Sequence, residues 1–161
     1  MGLIEWREEY CIGITNIDYE HEKLIEQINF LYTMVDNKAD KQLLIDKLGD
    51  IYSSISVHFA LEEQMMRKHR YVYYEEHKAD HERLLDEICD ITEGLENTDE
   101  LAESTFKQKL ADWFLLHFKT HDFSLHKLIK QTPHDRGDEP TVRIMMRDAK
   151  NKLSRRIAKP S

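Results

Sequence analysis

Residues 74–95 read YEEHKADHERLLDEICDITEGL, and this stretch predicts both a helix and an unusual core. Apolar and histidine residues recur in it at steps of three and four, which places them on one face of an α-helix. The residues on this face, which we call the stripe of the helix, are Tyr74, His77, His81, Leu84, Ile88, Ile91 and Leu95. Two imidazoles therefore occupy core positions, where a polar group is costly to bury unless a partner satisfies it.

Three further segments repeat this periodicity. Their stripe residues are Ile17, His21, Leu24, Ile28, Leu31 and Val35 in the first, Leu44, Leu48, Ile51, Ile55, His58, Glu62 and Met65 in the second, and Phe106, Leu110, Trp113 and His117 in the last. Short polar breaks separate the segments, and we expect Asp40 and Asp99 to cap the helices that follow them. Because short connections make neighbouring helices antiparallel, the sequence predicts an all-α, up-down-up-down four-helix bundle.

The last of these helices departs from regular spacing. After His117 the stripe shifts by one residue, to Asp122, Leu125 and Ile129. One extra residue in a turn is what a π-bulge supplies, and such bulges are often found at functional sites. We therefore expect Asp122 to face the core together with His117, although a regular helix would bring His121 there instead.

The composition of the chain fits this class of fold. Its 161 residues suffice for one domain, and 5 glycines and 3 prolines leave few helix breakers. No apolar run approaches the roughly 20 residues that span a bilayer, and the first residues lack the apolar stretch of a secretion signal. We expect a cytoplasmic protein in which Cys11 and Cys89 are free thiols without a role in the site.

Charge divides the chain into two parts. Residues 131–161 hold 8 basic and 4 acidic residues, whereas residues 1–130 hold 15 basic and 27 acidic ones. An acidic body argues against a nucleic-acid-binding protein. We expect an N-terminal arm and the bundle within residues 1–130, and a linker with a short basic helical tail in residues 131–161. That tail either packs on the acidic bundle, frays, or docks to a membrane surface or a protein partner.

Seven polar residues at core positions form a candidate metal site. They are His21, His58, Glu62, His77, His81, His117 and Asp122. Imidazole and carboxylate ligands without thiolate suit iron, manganese or zinc, and this set exceeds the ligands of one tetrahedral or octahedral ion. If both carboxylates and one hydroxide bridge two ions, the five histidines divide as three and two. One ion then keeps an open position for a small molecule, and charge balance favours iron and dioxygen.

These residues and their order resemble the hemerythrin family. The matching motifs are I-D-x-x-H at residues 17–21, H-x-x-x-E at 58–62, H-x-x-x-H at 77–81 and W-x-x-x-H-x-x-x-x-D at 113–122. Residues 6–14, which read W-x-x-x-Y-x-I-G-I, are similar to the N-terminal arm of bacterial members. The resemblance covers residues 4–130 and is specific, because ligand positions in four segments agree.

The resemblance implies a dioxygen-binding centre of two non-haem iron ions, Fe2+ or Fe3+, with a bridging oxo or hydroxo group. The implied ligands are His77, His81 and His117 for the six-coordinate iron, His21 and His58 for the five-coordinate iron that takes O2, and Glu62 and Asp122 as bridges. Leu24, Phe59 and Trp113 would form the apolar wall of the O2 pocket, although core packing alone would require the same burial.

Four other polar residues lie close to these motifs in the chain, and different positions are expected for them. Thr120, one turn after His117, could bring its hydroxyl towards the pocket. His69, His126 and His134 fit no ligand spacing and are expected on the surface.

The functional expectation is reversible dioxygen carriage, storage or delivery by a binding protein that is not an enzyme. One alternative is sensing of oxygen or redox state through the C-terminal tail. Another is redox detoxification of peroxide, nitric oxide or iron. Histidine dominates the site, whereas di-iron oxygenase bundles are rich in carboxylates, and this difference favours binding.

Overall fold

The computed structural model describes residues 4–11, 13, 15–97, 103–129 and 139–157. A short 3-10 turn, Glu8–Tyr10, precedes α1 (Thr15–Asp36), α2 (Lys41–Lys68), α3 (Tyr74–Asn97) and α4 (Glu103–His117); a π-helical turn, Phe118–Asp122, then leads into α5 (Phe123–Ile129), and α6 is Glu139–Ile157. The part of the chain described here contains no β-strand, so the expected all-helical class is confirmed. None of its helices is long and apolar enough to cross a membrane.

The predicted stripes form the core of the helical assembly. The predicted stripe residues that are fully buried include Ile28 of α1, Ile55 of α2, Ile88 of α3 and Leu110 of α4. Burying one such side chain contributes about 1.5–3 kcal/mol, so the stripe of each helix is its main source of stability.

Some edge positions of the stripes differ from the prediction. Met66 is buried in place of the expected Met65, which is only partly buried. The other partly buried members are Val35, Tyr74, Ile91 and Trp113. The side chains of Phe106 and Ile129 lie outside those that the structure describes.

The connection between α1 and α2 shows why α1 ends at Asp36 and why α2 begins at Lys41. Lys38 has a φ of 54°, and this left-handed residue lets the N–H of Ala39 donate to the carbonyl of Met34 at 2.9 Å. The Asp40 side chain then accepts from the N–H of Gln42 at 2.8 Å, which confirms it as an N-cap. Asp99, the other expected cap, lies outside the described residues.

The predicted extra residue after His117 is present as a π-helical turn. The N–H of Phe123 donates to the carbonyl of Phe118, five residues earlier. This wider turn rotates the chain so that both His117 and Asp122 face the core, where both are buried. His121 remains partly exposed at the edge.

The basic tail helix α6 packs against α2 and α3. Leu153 is buried in the same core cluster as the bundle, and Ala149 and Ile157 pack against that cluster. Lys150 Nζ lies 2.5 Å from Asp50 Oδ1, and Arg156 pairs with acidic residues of α3. Such exposed ion pairs contribute little, so the apolar contact is the main source of docking energy.

Replacing Leu153 by alanine should lower the free energy of unfolding by about 2–3 kcal/mol, because a buried leucine is lost and a cavity is left. Urea denaturation followed by circular dichroism measures this change. Asn151→Ala, at an exposed position of the same helix, is the control and should have little effect. Equal stability of the Leu153→Ala variant and the parent protein would mean that α6 is not docked in solution.

Candidate metal centre

The seven predicted residues converge on one buried region between α1, α2, α3, the end of α4 and the π-helical turn. Their side chains are 0–5% exposed, and they form two groups that share Glu62 and Asp122. The larger group adds His77, His81 and His117, and the smaller adds His21 and His58. Within each group the candidate ligand atoms lie within 4.8 Å of one another.

Glu62 directs its two carboxylate oxygens to different groups. Its Oε1 atom lies 3.5 Å from Nε2 of His58 in the smaller group. Its Oε2 atom lies 3.3 Å from Nε2 of His81 and 3.7 Å from Nε2 of His77 in the larger group. A carboxylate in this position can serve as a bridge between two cations.

Asp122 divides its oxygens in the same way. Oδ2 is 3.2 Å from Nε2 of His21, whereas Oδ1 is 2.8 Å from Nε2 of His117 and 3.2 Å from Nε2 of His77. The π-helical turn makes this possible, because it brings Asp122 and His117 to the same side of the helix.

Several buried atoms in this region lack a partner, which tests whether metal ions fit. Glu62 Oε2, His81 Nε2 and Asp122 Oδ2 have charged or polar neighbours within about 3.3 Å, but none of these contacts with the described residues has the geometry of a hydrogen bond. Buried polar atoms in this condition are costly, and cations would satisfy them together. The donor set of imidazole nitrogen and carboxylate oxygen therefore fits two metal ions of the iron, manganese or zinc type.

Three acidic residues outside the cluster orient its histidines, and none of the three was predicted from the sequence. The Nδ1–carboxylate pairs are His58 with Glu20 at 2.9 Å, His81 with Glu63 at 3.3 Å and His117 with Asp80 at 2.7 Å. Because an ionised carboxylate only accepts hydrogen bonds, each Nδ1 donates, so that in the neutral ring the lone pair is on Nε2 and faces the cluster. The available signal was position, since each acid is next to a predicted ligand in the chain.

Aromatic rings cover several of the imidazoles. Phe59 stacks on His81 with ring centroids 3.7 Å apart, and Trp113 stacks on His117 at 4.5 Å. Phe118, which was not predicted as a residue of the site, stacks on the His21 ring. Leu24 is buried one turn after that histidine.

His126 corrects one expectation from the sequence. It was expected on the surface, but its side chain is 0% exposed and Nε2 lies 2.7 Å from Glu62 Oε1. The reason is the register after the π-helical turn, because a residue four positions after Asp122 falls on the same helical face. His69 is only partly buried, and His134 lies outside the described residues.

Thr120 corrects a second expectation. Its side chain is exposed, and its hydroxyl donates to the carbonyl of Leu116 at 2.7 Å. It therefore does not face the pocket. The neighbouring His121 lies at the edge of the site, with Nε2 3.8 Å from Asp80 Oδ2.

The chain is similar to members of one protein family over most of its length. The model of the family described as "Hemerythrin HHE cation binding domain" matches residues 12–129. The bacteriohemerythrin of Stenotrophomonas maltophilia is 23% identical over 122 residues, which are 76% of this chain and 78% of that protein. Hemerythrin subunit 1 of Golfingia vulgaris is 30% identical over 118 residues, which are 73% of this chain and 86% of that protein.

Electrostatics in the metal-free cluster favour charged imidazoles beside charged carboxylates. Burial opposes the charge on His58, but Glu62 and Glu20 outweigh it and raise its pKa to about 9. Burial likewise opposes the charge on His117, but Asp122 and other acids raise its pKa to about 10. The pKa of Glu62 and that of Asp122 lie well below their usual values, because the neighbouring histidines outweigh burial.

Metal binding should therefore release protons. Below their raised pKa values His58 and His117 each carry an extra proton, and a metal ion binds only the neutral ring. At pH 7 two divalent ions should displace about two protons per chain, and the number should fall as the pH rises through about 9 to 10. An indicator dye in weakly buffered solution measures the release during a Zn2+ titration. Metal binding at pH 7 without proton release would contradict the expected protonation of these two histidines.

Proposed function

The chain belongs to the hemerythrin family, and from this premise we propose that it binds dioxygen reversibly at a pair of non-haem iron ions. The observation that carries the proposal is the division of the buried residues into a three-histidine and a two-histidine group that share Glu62 and Asp122. This unequal division leaves the two-histidine side one protein ligand short of the other. We propose that dioxygen binds on that side.

The seven candidate ligands would be divided between the two iron ions. The iron with more ligands would be held by His77, His81 and His117, the other by His21 and His58, and both by Glu62 and Asp122. An oxo or hydroxo group would complete the bridge. When bound, the iron pair supplies the two electrons that reversible dioxygen binding requires.

The surrounding residues keep the donors oriented and limit access of water. Glu20, Glu63 and Asp80 accept the Nδ1 protons of three of the histidines, which holds each ring with its Nε2 atom towards the cluster. Phe59 and Trp113 cover two of the rings. With Leu24 they are proposed as the apolar wall of the pocket, and such a wall slows irreversible oxidation by excluding water.

The same contacts support binding over catalysis. A di-iron enzyme needs groups that deliver protons during turnover. Glu20, Glu63 and Asp80 instead hold ring protons in fixed hydrogen bonds. We propose that detoxification of peroxide, nitric oxide or iron is at most a minor activity.

Pairs of contacts support an antiparallel arrangement of α1, α2 and α3, the first three helices of the proposed up-down-up-down order. His21 contacts His58, whereas Gln27, further along α1, contacts Ser54, which is earlier in α2. The two helices therefore run in opposite directions. The same reversal relates α2 to α3, where Glu63 meets His81 and Lys41 meets Glu96. The division into residues 1–130 and 131–161 and the cytoplasmic location stay predictions.

Oxygen sensing through the tail is the second candidate function. The observation that favours it is the docking of α6 on α2 and α3, which carry four of the seven candidate ligands. A change in the position of these helices on oxygen binding would reach α6 through its buried Leu153. In this structure the partner of the tail is the bundle itself, and no observation supports a separate protein or membrane partner.

Oxygen uptake by the iron-loaded full chain tests the main proposal. Loaded with Fe2+ without oxygen, the protein should bind two irons and take up one O2 per chain, with an absorption band that disappears under vacuum. His58→Ala should abolish uptake, because the two-histidine side loses a ligand. His69→Ala, a histidine outside both groups, is the matched control and should leave uptake unchanged.

Two results would contradict oxygen carriage. Irreversible oxygen consumption that continues with added reductant would indicate an enzyme. A single iron per fully folded chain would exclude the shared-carboxylate site.

A further inference from the structure

His126 has no role in the proposed oxygen site, yet it is completely buried beside it. Its Nε2 atom lies 2.7 Å from Oε1 of Glu62, and its ring centroid is 6.3 Å from that of His21. Its other nitrogen, Nδ1, is buried without a hydrogen-bond partner among the described residues. A side chain that accepts such a cost needs a compensating interaction, and the contact with Glu62 is the one that the structure provides.

The direction of this hydrogen bond follows from the chemistry of the two groups. Glu62 must be ionised to bridge two cations, and an ionised carboxylate only accepts hydrogen bonds. The Nε2–H of His126 therefore donates to Oε1. A carboxylate oxygen has two lone pairs, so Oε1 can accept this bond and still face an ion.

The bonded oxygen is the one that belongs to the smaller group. Oε1 is 3.5 Å from Nε2 of His58, whereas Oε2 is directed towards His77 and His81. A free glutamate side chain rotates about three bonds and loses that freedom when it bridges. A donor on Oε1 fixes the plane of the carboxylate before metal binds, which lowers the cost of forming the bridge.

We propose that His126 is a positioning residue that holds Glu62 in its bridging orientation and so strengthens metal binding on the two-histidine side. This inference rests on the proposed two-iron site. His126 is not itself proposed as a ligand, since it belongs to neither of the two groups of converging atoms. It acts through the hydrogen bond that it donates to Glu62.

The matched variants are His126→Gln and His126→Leu. Glutamine keeps an N–H donor at about the reach of Nε2, whereas leucine fills the volume without a donor. Titration of the metal-free full chain with Co2+, followed by its visible absorption, reports each binding step without requiring oxygen chemistry. Leu125→Met, a substitution at the neighbouring buried position, controls for general disturbance of α5.

The parent protein, His126→Gln and Leu125→Met should each bind two Co2+ ions with similar affinity. His126→Leu should bind the first ion normally and the second about 10–100-fold more weakly, the usual effect of losing an outer hydrogen-bond partner. If the leucine variant does not fold, His126→Asn replaces it, because its amide is too short to reach Glu62 and should weaken the second ion similarly.

Three results would overturn the inference. One is normal binding of both ions by His126→Leu, and another is equal weakening by leucine and glutamine, which would assign the effect to shape. The third is equal weakening of both ions. Failure of the parent protein to bind two ions would instead contradict the two-metal site itself, so the two failures are distinguishable.

Discussion

The interaction on which this structure depends is the meeting of two carboxylates and five imidazoles inside an apolar bundle. Taking an ionised carboxylate out of water costs several kcal/mol unless opposite charge compensates it. Glu62 and Asp122 are both buried, and each has histidine nitrogens of both groups around it. No single helix provides that compensation, so α1, α2, α3, the end of α4 and the π-helical turn must come together for the core to be stable. The same packing of helices therefore forms both the fold and the site.

Other features of the molecule follow from this requirement. The π-helical turn at Phe118–Asp122 is needed because residues five apart on a regular helix face different directions. The three acidic residues outside the cluster, Glu20, Glu63 and Asp80, are needed because an imidazole directs its Nε2 lone pair inward only when Nδ1 holds the proton. The stacked Phe59 and Trp113 then separate the rings from water. Geometry, proton placement and solvent exclusion are thus provided by different residues of the same helices.

Much of this could be predicted from sequence because helical periodicity is local. His77 and His81 share a face through their spacing alone, and the shift of the apolar stripe after His117 is enough to indicate that Asp122 faces the core. The hydrogen bonds between these acidic residues and the histidines could not be predicted in this way. Glu20 of α1 orients a histidine of α2, and Asp80 of α3 orients one of α4, and such contacts depend on how each helix is rotated about its axis. The prediction that His126 lies on the surface was wrong, because the extra residue in the π-helical turn changes which residues of α5 face the core.

The measurement that tests the central claim most directly is X-ray diffraction from crystals of the iron-loaded protein at wavelengths on both sides of the iron absorption edge. Anomalous scattering of this kind locates iron independently of the protein atoms. The account predicts two iron peaks per chain, both between Glu62 and Asp122, with three histidines around one and two around the other. A single peak, or iron bound away from these two carboxylates, would contradict it.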